Sequence, residues 1–170
     1  MSPHGGYVRS IASLVIYEED LSRINTCLSS LQHKARSSAV LLIDTSGQLI
    51  ATAGGSEALD TTPLASLAAG SIAAAGALAQ LLGEQEFSFV FYDGERKRLH
   101  LSVIGHQAIL LVLLDRHSAI PLVRLQVKKF SKELERIFNE LDNRPEPVGG
   151  RGREIGEITD DDVETLFEMS

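Results

Sequence analysis

The sequence holds a single cysteine, Cys27, so no internal disulfide can form. That suits a reducing compartment, where such bonds do not persist. Cys27 falls within a helical pattern, where a lone thiol serves as a small apolar residue. Basic charge is short as well: the formal net charge is -7 at pH 7 and the isoelectric point about 5.2. Wrapping nucleic acid takes a basic face that displaces counterions, and holding an anionic membrane surface takes the same, so both partner classes are disfavoured. The opening residues, MSPHGGYVRSIAS, have neither the long apolar stretch nor the cleavage site of a signal peptide. Together these absences predict a cytoplasmic protein.

Catalytic patterns are missing too. There is no GxxxxGK(S/T) loop to cradle a triphosphate. GGRGREIG has glycines but no strand pattern ahead of it. His4, His33, His100, His106 and His117 show no metal-ligand spacing. Asp44 and Asp115 both end predicted strands, where turn and cap duties account for them. The expectation is a protein with no catalytic residue, metal or cofactor of its own, one that works by binding other proteins.

Charge is absent altogether from Thr61 to Gly83, a run long enough to span a bilayer. It is mostly Ala, Gly and Ser, a threonine pair and a proline open it, and no Lys or Arg flanks it closely. The composition predicts a small-residue helix and no membrane insertion. Leu64, Leu67, Ala74, Leu78 and Leu81 form one stripe, and Ser66, Gly70, Ala73 and Ala77 a second made only of small residues. A stripe without bulk lets another surface come close; the alternative is that it packs on its own sheet or on the twin helix of a dimer.

Around that helix the pattern is regular. Leu21, Ile24, Leu28 and Leu31 predict a helix from about Glu18 to Arg36. Ala39–Ile43 reads as a buried strand, Asp44-Thr45-Ser46-Gly47 as a type I turn, and Gln48–Ala53 as the returning strand. Phe87–Tyr92 alternates, as does Leu99–Ile104, and Gly105-His106 fits a type II′ hairpin loop before the apolar strand Ala108–Leu114. A last helix is predicted from about Ala119 to Leu141, capped by Ser118. On it Arg124, Lys128, Lys132 and Arg136 recur every four residues and read as a solvated face. Residues 142–157 are polar and rich in Pro and Gly, a flexible linker. Residues 158–170 then predict a short helix capped by Thr159, with Val163, Leu166 and Phe167 on one side and Ile158 just ahead of the cap. The fold class is α+β, a five-stranded mainly antiparallel sheet with helices on its faces, in the order α-ββ-α-βββ-α.

The strings AVLLIDTSGQLIATAG, DTTPLASLAAGSIAAAGALAQLLGE and LLDRHSAIPLVRLQVKKFSKELERIF resemble the roadblock/LC7 family of small dimeric modules that sit on GTPases and motors. VIYEEDLSRIN and ITDDDVETLF are similar to its bacterial gliding-motility branch. The resemblance implies a profilin-like sandwich at residues 15–141. It implies a homodimer that binds a small Ras-like GTPase in its GTP-bound form and activates it by remodelling the switch regions, without an arginine finger. It also implies control of cell polarity and motility, and concentration at a cell pole. The GTPase-binding residues implied are Ser66, Gly70, Ala73 and Ala77, with a second element at residues 158–170 through Ile158, Val163, Leu166 and Phe167. Position 77 departs from the glycine expected in that branch. Four alternatives stay open: a non-activating roadblock scaffold linking GTPase or cytoskeletal partners, an enzyme or small-molecule sensor, a tail that is inert, and a tail that folds back on the Arg124–Arg136 stripe.

Overall fold

The computed structural model describes residues 7–11, 14–55, 58–145 and 168. A hairpin of β1 (Tyr7–Ile11) and β2 (Leu14–Tyr17) leads into α1 (Glu18–Ala35). Then come β3 (Ala39–Asp44), β4 (Leu49–Gly54), α2 (Thr61–Leu81), β5 (Val90–Asp93), β6 (Lys97–Ile104), β7 (Ala108–Asp115) and α3 (Ile120–Asp142). Strands β3 to β7 form one sheet in the order β4-β3-β7-β6-β5, with every neighbouring pair antiparallel. This is the α+β order expected from the sequence, with the β1–β2 hairpin added in front, where no element was anticipated.

The central strands explain their own composition. Each residue of β3 is buried, as is each of β7 up to Leu114, so neither strand has a solvent face on which polar residues would alternate. Val40, Leu42, Leu110, Val112 and Leu114 point to one side, where α1 and α3 cover them. Ala39, Leu41, Ile43, Ile109, Leu111 and Leu113 point to the other, where α2 lies alone.

Turns hold the strands in register. Asp44 is 2% exposed, and its Oδ1 accepts from the Ser46 N–H at 3.0 Å, the Ser46 hydroxyl at 2.6 Å and the Gln48 N–H at 2.9 Å. Gly47 closes that turn at φ +93, and a side chain there would meet the Ser66 backbone at 3.0 Å, so glycine lets the turn press against α2. Gly105 has φ +58 at the first central position of the β6–β7 loop, as a type II′ turn needs.

Two expectations are corrected. Ser118 does not cap α3: Ala119 is the N-cap, with no side-chain bond, and the Ser118 hydroxyl turns back to Asp115 Oδ1 at 3.3 Å. The strand expected from Phe87 begins only at Val90, because Phe89 leaves the ladder and lays its ring on the ring of His100.

The ends of the domain are tied together. Asp20, 1% exposed, accepts Arg144 Nη1 at 2.8 Å on Oδ2 and Nη2 at 2.9 Å on Oδ1, while Oδ2 also takes the Tyr17 N–H at 3.1 Å. Burial pushes the Asp20 carboxyl up, but the Arg144 and Tyr17 hydrogen bonds and the Arg144 charge outweigh it and hold the group below its usual value. The Arg144 guanidinium also lies 5.2 Å over the Tyr17 ring, so the start of α1 and the end of α3 are fixed to each other.

Candidate partner-binding surface

Helix α2 meets the sheet through a face that the sequence reading did not single out. Ala65, Ala68 and Ala79 are buried, and Leu64, Ala69 and Ile72 pack partly against the same cluster. At 100° per residue both stripes read from the sequence fall on the opposite half of the helix, apart from Leu64, which packs toward the sheet. Ser66, Gly70, Ala73 and Ala77 are all exposed. So are Leu67, Ala74, Leu78 and Leu81, with Leu67 at 72% and Leu81 at 84%. The signal that would have found the packing face was present: Ala65, Ala68 and Ile72 stand at spacings of three and four.

The outer half of α2 is therefore a strip of small residues beside a strip of leucines, without a charge along its length. Its 21 residues hold an 18-residue window of mean hydropathy 1.6, enough by length and composition to cross a membrane, and only 17% of that window is buried. Small residues leave the backbone open to close approach, and the leucines supply area to bury. A contiguous apolar patch on a closed domain marks an interaction surface. Nothing lies within 4 Å of the position a side chain would take at Gly70, so that face is open there. Beyond α2, Leu82 continues the exposed apolar surface, and Tyr92 on the edge strand β5 hydrogen-bonds Ser71.

No arginine lies on α2. Arg98 pairs with Asp93 at 2.9 Å, Arg116 reaches the Glu95 carbonyl at 3.5 Å, and Arg124 lies 4.6 Å over the Phe89 ring. The same Phe89 ring stacks on His100, with centroids 5.0 Å apart. His100 is 3% exposed, and its Nδ1 has no partner among the described residues. Burial first, then the Arg124 charge, push the His100 imidazole down to about 4, so it is neutral at ordinary pH. Cys27 is buried and its thiol is pushed up to about 12, chiefly by burial, which makes it a packing residue and a poor nucleophile. Ile158, Val163, Leu166 and Phe167 lie outside the described residues.

The sheet order, the helix layers and an exposed apolar α2 define a class, and the comparisons agree on it. The chain belongs to the Roadblock/LC7 domain family, whose model matches residues 23–114. Among solved structures it is similar to Myxococcus xanthus MglB, with 44% identity and a TM-score of 0.71 over 75% of this chain and 96% of that one. It is similar to the gliding protein MglB of Thermus thermophilus, at 34% identity and TM-score 0.70 over 75% and 97%. A structure described as MglB with a tetrameric arrangement shares 31% identity, with TM-score 0.72 over 76% and 97%. The comparison with curated proteins gives no match.

Proposed function

We propose that the chain is a GTPase-activating regulator of a small Ras-like GTPase, working in the cytoplasm, at a cell pole, in polarity and gliding motility. The observation that carries this reading is the uncharged, exposed outer half of α2 in a chain 44% identical to Myxococcus xanthus MglB. A homodimer forms first, the leucine strip and the edge strand β5 supplying area for it. The GTP-loaded partner then approaches the small strip of Ser66, Gly70, Ala73 and Ala77, and residues 158–170 dock separately. The pair resets the partner's switch regions and needs no metal, cofactor or catalytic residue of its own.

An arginine finger is not part of this mechanism. The absence of arginine from α2, and the engagement of Arg98, Arg116 and Arg124 within their own domain, favour that view. The deciding experiment is GTP turnover by a small GTPase encoded beside this gene, with and without the chain at saturation. Turnover should rise. Changing Arg96, Arg98, Arg116 or Arg124 singly to Ala should keep most of the rise, since a true finger is worth about 10³–10⁵ in rate. Binding without any acceleration would replace this reading with the non-activating scaffold; a thousandfold collapse (~10³, the lower end for a finger) in one variant would refute the mechanism.

A further inference from the structure

The outer face of α3 carries a second, smaller apolar feature with a different charge setting. Leu125 is 63% exposed. Its neighbours one turn and two turns on are Lys128, Lys129 and Lys132, all exposed, so one leucine is ringed by three ammonium groups. Among the described residues Lys128 and Lys132 make no ion pair, while Lys129 leans over the Phe130 ring at 5.8 Å. Of the four carboxylates on the helix, Glu135 and Glu140 are turned elsewhere, while the exposed Glu133 stands one turn beyond Lys129. Glu140 is held by Arg23 at 2.7 Å, and Glu135 lies beside Gly105. Arg124 and Arg136 extend the basic ridge at either end.

The chain has a segment of matching chemistry. From Glu154 to Glu168 there are seven carboxylates and no Lys or Arg, and the segment carries Val163, Leu166 and Phe167 at one side of a helical pattern. Reach also matches. The Asp20–Arg144 tie fixes where the chain leaves the domain. Lys132 lies about 18 Å back along α3 from Arg144, and Leu125 about 29 Å, at 1.5 Å per residue. A Gly- and Pro-containing linker of the length of residues 145–157 has a root-mean-square span of about 20 Å. A segment running antiparallel to α3 from there brings Leu166 and Phe167 to Leu125.

We propose that in the free protein the acidic segment 158–168 docks on the lysine-ringed Leu125 of its own α3, an autoinhibitory contact. Leu166 and Phe167 cover Leu125, and Asp160, Asp161, Asp162 and Glu164 meet Lys128, Lys129 and Lys132. The same apolar side cannot lie on α3 and on a partner at once, so a partner must displace it. What is inhibited rests on the proposed GTPase reading; the contact does not, and its test needs no GTPase.

The test is paramagnetic broadening in the full-length protein, with a nitroxide on Ser170→Cys. Cys27, buried and with its thiol pushed up to about 12, leaves the added thiol as the reactive one. The tagged, isotope-labelled chain is diluted into unlabelled, untagged protein so that only proximity within a chain is read. At low salt the amides of residues 121–136 should lose intensity while those of α2 do not. The loss should disappear at high salt, where the Debye length falls to about 3 Å near 1 M. It should also disappear when Lys128→Glu and Lys132→Glu are combined, two exposed positions at which the fold has nothing to lose. No loss of intensity on α3 at low salt overturns the proposal, and so does a loss that survives the double substitution.

Discussion

His100 shows how one buried side chain sets a pH response. It is an apolar-face residue of β6, opposite Val112, and it stays neutral because burial and Arg124 hold its imidazole near 4. The unfolded chain takes a proton there at about 6.5, so between those values the unfolded state binds more protons and folding loses stability as the pH falls. The full loss is about 3 kcal/mol, since the shift runs from 6.5 to about 4 and each unit is worth about 1.4. Above pH 6.5 the contribution is complete, and below pH 4 it does not fall further. Urea unfolding at pH 7, 5.5 and 4.5 should therefore give a steeper decline for the native sequence than for His100→Leu. Equal slopes would mean that His100 is solvated in the folded state.

At the scale of an element, α2 packs on the sheet with one half and, in the proposed function, meets a partner with the other, and one methyl group can separate the two. Gly70 is helical, exposed and meets nothing within 4 Å, so Gly70→Ala should raise stability by about 0.5–1 kcal/mol through the unfolded chain's entropy. If the small strip is a contact surface, the same variant weakens partner stimulation while melting higher. Ala73→Arg should abolish stimulation and leave the folding stability within about 0.5 kcal/mol of its starting value, because the site is exposed. Unfolding of Ala73→Arg in melting experiments would place that residue in the domain's core instead.

The elements differ in how legible they were. Those with a fixed periodicity were read almost to the residue: α1, the β3–β4 turn around Asp44 and the Gly105 loop follow from local rules that tertiary packing here reinforces. Three features were not legible. Ser118 lost its capping role because the helix starts one residue later, with Ala119 as its N-cap, and the Ser118 hydroxyl is oriented to donate to Asp115, a shift that no propensity rule weighs. Phe89 left its strand for a ring and a guanidinium distant in sequence, His100 and Arg124. On α2 three different faces all read as apolar, and only the sheet decides which of them is covered. The candidate strip was legible as a stripe; its exposure was not.

For the whole molecule, the balance of surfaces argues for pairing. A domain that leaves Leu67, Leu78, Leu81 and Leu82 more than half exposed on one side, next to the short edge strand β5, has a hydrophobic face to cover. Two-fold pairing is the commonest way for identical chains to do so. Light scattering at micromolar concentration should give about twice the 18.4 kDa chain mass. A clean monomer under those conditions would remove the basis for the activating-dimer reading.

The sheet order has a bearing on how the chain is made. In the middle of the sheet β3 lies against β7, and the first helix is locked by an arginine near the far end of the domain. A ribosome emits β3, β4 and α2 well before β7 and Arg144 follow. Until then β3 has an unpaired edge where β7 will lie, and its two apolar faces lack part of their cover. Long-range pairing of this kind is slow and exposes sticky surface while it waits. The half-synthesised chain is thus the stage at which this protein is most vulnerable to aggregation and has most use for a holding chaperone.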